Sequence, residues 1–422
     1  MTRVPDTSDV VIVGGGIIGT AAAYYLARGG IDVTLCEKGR VAGEQSSRNW
    51  GFVRQQGRDP AEIPTIIESL RLWNGLAGEI GEDVGFARAG SLYLASTERQ
   101  LSRYEAWLEH ARQYQLDTRL LSREEVRKAL PGSSGEWIGG LHTPSDGRAE
   151  PALATPALAR AARRQGAIIV EQCAVRGLDI QAGRVSGVVT EHGRIATSAV
   201  LCAGGAWSSL FCARHGIVLP QLKVRSSVFR TAPAPLVSET AIWSQDVAFR
   251  RRQDGGYTVA HGSATEVPIV PDTLRWARSF MPSYRDERSR LRLRLDSRFL
   301  TELRTPRRWR LDGPSPFEAT RVNDPAPSQR ILGEAARNLA RLFPALAPVP
   351  VVESWAGLID VTPDAVPVIA PVDALPGFHL ATGFSGHGFG IGPAAGRLAA
   401  EMVSGAATSI DRAPFRLERF FN

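Results

Sequence analysis

The sequence predicts an α/β protein in which a parallel-sheet unit is interrupted by an inserted mixed β-sheet. Three observations carry that expectation. A strand, a glycine turn, a helix and a second strand follow one another without a break from Val10 to Glu37. Two later strands, at 199–203 and 378–382, each run directly into a glycine-rich turn. Between those two lie strand-like runs at 222–232, 241–250 and 257–260.

Taken in order, Val10-Val11-Ile12-Val13 is the short apolar run of a buried parallel strand. Gly14-Gly15-Gly16-Ile17-Ile18-Gly19 follows, with glycine at all three positions of a dinucleotide fingerprint. Gly14 permits the turn, Gly16 admits a pyrophosphate to the backbone, and Gly19 lets helix and strand pack closely. An alanine-rich helix at 20–28 stops at Gly29-Gly30, and a second strand at 31–36 ends on Glu37. The helix N-terminus offers N–H groups and a positive dipole end to phosphates. Glu37 stands where a carboxylate accepts ribose hydroxyls, which argues against a 2′-phosphate.

The fingerprint alone leaves NAD and FAD open. The next segment, residues 43–51, is a polar loop in which Ser46, Ser47, Arg48, Asn49, Trp50 and Gly51 cluster as if around phosphate oxygens and a flat ring. An alanine-rich helix is expected at 151–165, a strand at 167–175, and a hairpin of 185–190 with 194–199. The strand at 199–203 then enters the Gly204-Gly205 turn ahead of Trp207. Near the C-terminus the strand at 378–382 leads through residues 383–393, six of them glycine or proline, into a helix expected from about Ala394 to Val403. Backbone so free of side chains packs against something flat or charged.

These segments resemble the D-amino acid oxidase-like (DAO) superfamily of FAD-dependent oxidoreductases, which includes glycine oxidase, monomeric sarcosine oxidase, and bacterial D-amino acid and opine dehydrogenases. The matching pieces are 14–37, Ser46-Ser47, 203–207, Trp355-Ala356-Gly357-Leu358, 362–369 and Ser385-Gly386-His387-Gly388. They run from end to end of the chain. The resemblance implies a Rossmann-like FAD-binding domain with an inserted mixed β-sheet substrate domain. The expected division is 1–85, 148–216 and 337–422 for the discontinuous FAD-binding domain, with 86–147 and 217–336 for the substrate domain.

Cofactor contacts are expected at Gly14, Gly16, Ile17, Ile18, Gly19, Glu37 and Lys38, and along the loop at Ser46, Ser47, Asn49, Trp50 and Gly51. Val175, Ala203, Gly204 and Trp207 form a third group; Gly386, His387, Gly388, Phe389, Gly390 and Ile391 form a fourth. The implied activity is oxidation of the CH–NH bond of an amino acid or secondary amine to an imine that hydrolyses, with oxygen or a quinone taking the electrons. Two alternatives stand beside it: a flavoprotein dehydrogenase of a C–OH substrate such as a 2-hydroxyacid, and the FAD subunit of a larger amine dehydrogenase complex. Arg54, just beyond the loop, is the candidate for bidentate capture of a substrate carboxylate, as an arginine in the corresponding part of monomeric sarcosine oxidase does. His387 is the second catalytic candidate. His261 and Tyr257 are expected to pack rather than to meet substrate.

The chain also departs from its likenesses. Ile359 stands where glycine oxidase-like members carry arginine, and Gly390 where sarcosine oxidase-like members carry lysine. Residues 357–360 lack the flavin-linked cysteine of the latter, so noncovalent FAD is expected.

Composition fits a large globular enzyme: 422 residues, 43% hydrophobic and 22% charged. The formal charge is +7, its surplus nearly all arginine and much of it between Arg285 and Arg310. No zinc spacing, RNA-binding motif or lysine run accompanies it, so nucleic acid is not an expected partner. Residues 289–295 alternate and read as a strand with one polar, solvated face. Cys36, Cys173, Cys202 and Cys212 have neither paired nor metal-like spacing, which points to reduced thiols in a cytoplasmic protein and to no metal. No run approaches the ~20 apolar residues of a membrane span, and residues 1–9 lack an apolar signal core. Peripheral contact with the inner membrane is left open, since a dehydrogenase must pass its electrons on.

Overall fold

The computed structural model describes residues 4–288 and 290–421. Expectations for residues 1–3, and for Ser289 at the start of the alternating run, lie outside the described residues. A six-stranded sheet holds Val10–Val13 near its centre, between Ala199–Cys202 and Val33–Cys36. Ile168–Val170 closes one edge, and Phe378–Thr382 followed by Val368–Pro371 the other. All neighbours are parallel except the last pair, which is antiparallel. The central strands are buried on both faces, which explains why they read as unbroken apolar runs. The hairpin expected at 185–199 is part of a three-stranded meander, Val175–Gln181, Arg184–Thr190 and Gly193–Ala196. The strand expected at 167–175 is only Ile168–Val170; Val175 already belongs to the meander.

The helix Ile17–Arg28 packs against Pro151–Arg164 and against the C-terminal helix Gly388–Val403. That last helix starts at Gly388, six residues before the expected position, and carries Pro393 inside it. Pro393 lies beyond the first turn, so it removes one i→i−4 hydrogen bond, the one that Phe389 O would accept. The crossing with Ile17–Arg28 is close because both helices present small residues: a Cβ on Gly396 would stand 2.4 Å from Ala21 Cβ.

The second sheet has ten strands. Its core is the long antiparallel pair Leu222–Thr231 and Val351–Val361, continued through Tyr257–Ala260, Ala248–Arg251, Ala241–Trp243, Ser91–Ala95, Gly139–Thr143 and Arg119–Ser122. Val351–Val361 lies in the segment expected to return to the nucleotide unit, yet it pairs along its length with the inserted sheet and only its end leads back. Thr265–Pro268 and then Leu291–Arg294 form the far edge. His261 and Tyr257 do pack: Tyr257 is fully buried and its hydroxyl donates to Pro235 O at 3.2 Å, while His261 Nδ1 accepts from Ala264 N at 3.1 Å. Among the described residues, no helix is long and apolar enough to cross a membrane, and no group of three or more His, Cys, Asp or Glu could hold a metal.

The helix crossing yields a stability test. Gly396→Ala must push the two helices apart or displace Ala21, and overpacking of this kind costs about 1–3 kcal/mol. The urea midpoint should fall with an unchanged slope; a midpoint equal to wild type would mean that the crossing yields freely.

Candidate functional site

One cavity of about 920 Å³ lies between the two sheets and is lined by the turns that leave the carboxyl ends of the parallel strands. Its nucleotide end is built from the Gly14–Gly19 turn. Gly14 has φ +109°, and a Cβ there would meet Ala203 O at 2.5 Å, so only glycine lets these two turns touch. Glu37 closes the turn: Oε2 accepts from Gly15 N and Oε1 from Gly39 N, each at 2.7 Å. Burial pushes its carboxyl above the usual range, and the two backbone N–H groups oppose that rise. Each carboxylate oxygen keeps a further lone pair for a ribose hydroxyl. Ser46 Oγ accepts from Ile17 N at 2.9 Å and so stands at the N-terminus of the first helix. Lys38 is committed elsewhere, donating to Glu44 Oε1, Thr320 O and Arg321 O.

Four of the expected contact residues stand behind the wall. Gly19 is enclosed by its helix, with a Cβ position 2.1 Å from Gly14 O. Ser47 Oγ turns back to Glu44 O at 3.2 Å. Gly390 O accepts from Ser69 Oγ and Trp73 Nε1, and Ile391 is core. The other expected contact residues line the cavity: Gly14, Gly16, Ile17, Ile18, Glu37 and Lys38 at one end, Val175, Ala203, Gly204 and Trp207 beside them, and Asn49, Trp50, Gly51, Gly386, Gly388 and Phe389 further along. The 49–51 loop is clamped from the second sheet. Arg250, fully buried, donates through Nε to Trp50 O at 2.7 Å and pairs through both terminal nitrogens with Glu150, at 2.7 and 3.0 Å.

The middle of the cavity holds a buried charge relay that sequence reasoning missed. His387 Nδ1 is 2.7 Å from Glu62 Oε2, and Glu62 is 3.8 Å from Arg58. Burial alone would raise the Glu62 carboxyl, but His387 and Arg58 outweigh it and hold the group below the usual value. Arg58, also buried, is lowered to about 10 by desolvation and stays cationic at neutral pH. Burial lowers His387 too, with Glu62 opposing. An ionised Glu62 takes a hydrogen from Nδ1, which leaves Nε2 of neutral His387 as an acceptor on the cavity side. Arg58 Nη1 and Glu62 Oε1 have no hydrogen-bond partner, so the relay keeps polar capacity in reserve.

At the far end, Arg54 donates to Gln56 O and lies over the Tyr93 ring, 5.5 Å from its centroid. Tyr93 packs, with tilted rings, against Trp243 at 4.9 Å and Tyr104 at 6.2 Å between centroids, so this end is an aromatic compartment. The loop carrying Arg54 is pinned by buried Asp146, whose Oδ1 accepts from Gln55 N at 2.6 Å. Burial pushes Asp146 up to about 6. On the opposite wall Asp360, also raised to about 6 by burial, accepts from Gly383 N at 2.7 Å and from Thr382 and Gln221 at 3.2 Å. It ties the long strand to the C-terminal glycine turn. Glu62, Asp146 and Asp360 belong to no motif that marks them in the sequence.

Comparison with known proteins agrees with this geometry. The sequence profile of the DAO family, described as FAD dependent oxidoreductase, matches residues 9–402. The fold superposes on L-amino acid deaminase from Proteus myxofaciens, solved in complex with anthranilate, with TM-score 0.95 and 33% identity over 100% of this chain and 95% of that one. Sarcosine oxidase subunit beta of Rhizobium meliloti (strain 1021) is 27% identical over 99% of this chain and 90% of its own length. Mitochondrial sarcosine dehydrogenase of Homo sapiens is 30% identical over 51% of this chain, a match that spans 24% of the human protein.

The Asp360 carboxyl makes stability depend on pH in a definite direction. Unfolded aspartate titrates near ~3.9, so between there and about 6 the folded protein holds a proton that the unfolded chain has released. The stability from this site is fully present below about pH 4 and is lost as pH rises through about 6. Asp360→Asn removes the titration. The unfolding free energy of wild type relative to this variant should fall by up to about 3 kcal/mol from pH 4 to pH 7, at roughly 1.4 kcal/mol per pH unit between the two pKa values. A difference that stays flat in urea titrations across that range would show that Asp360 is ionised throughout.

Proposed function

The chain belongs to the DAO family of FAD-dependent oxidoreductases, and on that premise we propose that it oxidises the CH–NH bond of an amino acid or secondary amine to an imine, which water hydrolyses. The observation that carries this reading is the continuity of one cavity from a dinucleotide cradle, past a neutral histidine, to an arginine in an aromatic compartment. FAD, when bound, supplies the acceptor for the two electrons. Gly14–Ile18, Glu37 and Ser46 would hold its adenosine and phosphates. The walls at 49–51 and 386–389 would flank its ring. Binding is noncovalent in this reading, since residues 357–360 offer no cysteine.

The residues divide the remaining work. Arg54 anchors a carboxylate, because its planar fork matches that group and it makes no ion pair among the described residues. Tyr93 and Trp243 exclude water and aim the rest of the substrate. His387 Nε2 accepts the proton that a substrate ammonium must lose before its nitrogen can form an imine, and Glu62 stabilises the imidazolium that results. Oxygen or a quinone is the terminal acceptor in this reading, and the buried thiols support a reducing, cytoplasmic setting.

Two outcomes test the assignment. Acid precipitation should release all flavin as free FAD, and Glu37→Gln should weaken FAD binding by one to two orders of magnitude, since a charge-assisted hydrogen bond contributes roughly 1.5–3 kcal/mol. Equilibrium titration of the apoprotein reads this directly, and an unchanged affinity would place the ribose away from Glu37. Arg54→Met keeps the apolar stem but leaves a substrate carboxylate unpaired, a loss of roughly 2–5 kcal/mol when buried. In anaerobic stopped-flow reduction, wild type should strongly prefer an amino acid to its carboxamide, and the mutant should lose most of that preference. A mutant that discriminates as wild type does would locate the carboxylate elsewhere in the cavity.

A further inference from the structure

Residues 271–310 form a layer that the catalytic reading does not use. The helices Pro271–Arg275, Ala277–Glu287 and Arg298–Arg304 contain no buried residue, and the first packs against each of the other two. Leu291–Arg294 is the outermost strand of the large sheet, paired on one side only. Of the fifteen large hydrophobic residues exposed among the described residues, seven fall between Leu274 and Leu303. Leu274, Leu295 and Leu303 are 66%, 69% and 59% exposed. Such clustering on a surface otherwise free of it marks a contact region.

The same layer concentrates charge. Twelve arginines stand against five acids between Pro271 and Arg310, a surplus equal to the +7 of the whole chain. Arg278, Arg285, Arg288, Arg304 and Arg308 are exposed and make no ion pair among the described residues. Interleaved leucines and unpaired arginines are what a lipid interface accommodates: the apolar chains enter the acyl boundary while the guanidinium groups meet phosphate. A second copy of the chain would bring the same positive field to the contact and be repelled. Nucleic acid would meet the arginines but leave the leucines unburied.

We propose that the 271–310 layer docks this protein on an anionic lipid surface. The layer also supplies Glu287, Arg290 and Leu291 to the cavity wall, so docking sets the cavity beside the bilayer. Attachment is peripheral and reversible, because it depends on partly inserted side chains and screened charge.

The test uses the flavin-loaded protein and sedimentation with vesicles. Mixed phosphatidylethanolamine–phosphatidylglycerol vesicles should carry the protein down, pure phosphatidylcholine vesicles should not, and rising salt should release it. Leu300→Asp with Leu303→Asp should lower the partition at least about tenfold, while Arg278→Gln with Arg285→Gln should weaken binding and flatten its salt dependence. Flavin content and thermal midpoint equal to the parent verify folding in either pair. Equal binding to both vesicle types, or binding to neither, would overturn the proposal. So would concentration-dependent self-association that the leucine substitutions abolish, since that would make the layer an interface between copies.

Discussion

The carbonyl of Ala203 occupies the space that a Gly14 side chain would need, and this backbone contact sets the nucleotide end of the cavity from which the other walls extend. Gly14 leaves the central strand and Ala203 leaves its neighbour, so their contact brings the ends of the two strands together. The Gly204-Gly205 turn, the first helix and Glu37 all take their places from it. Parallel strands offer a binding crevice at their carboxyl ends only if the turns there stay small. Here that condition is met without any side chain.

Around this rigid end the walls are held by buried charge. Arg250–Glu150 fastens the 49–51 loop to the large sheet, Asp146 fixes the loop of Arg54, Asp360 joins the long strand to the C-terminal turn, and Glu62 fixes His387. A buried ion pair adds little net stability over a hydrophobic pair of the same shape, whereas removal of one partner is severely destabilising. What these groups contribute is unique geometry across a seam between two sheets, where apolar contacts would permit sliding. The seam is also where substrate must fit.

The elements readable from the sequence were those whose cause is local. The Gly14–Gly19 turn, the strands around it and Glu37 follow from spacing within 28 residues, and the structure has the same strand and turn there. The start of the C-terminal helix was misplaced because glycines and Pro393 read as loop, while packing against the first helix supplies the missing helical preference. The sequence neighbours of Val351–Val361 point to the nucleotide unit, whereas its hydrogen bonds go to Leu222–Thr231, more than a hundred residues earlier. Arg58, Glu62, Tyr93, Asp146 and Trp243 gave no sign of a shared site, since four separate segments bring them together. Arg54 and His387 are legible as candidates because one follows the polar 43–51 loop and the other lies within the glycine-rich 383–393 segment.

The order of strands across the six-stranded sheet has a consequence for synthesis. Val10–Val13 leaves the ribosome early, but its partner Ala199–Cys202 follows nearly two hundred residues later, and Phe378–Thr382 later still. The first strand pairs early with Val33–Cys36, but its other hydrogen-bonding edge must wait open until residues 199–202 are made, a vulnerable interval for long-range parallel pairing. The helix Gly388–Val403, which covers the first helix, follows all of these strands. A nascent chain cannot enclose its cofactor until residues 378–403 have been made, so flavin meets a chain whose inserted sheet is already synthesised.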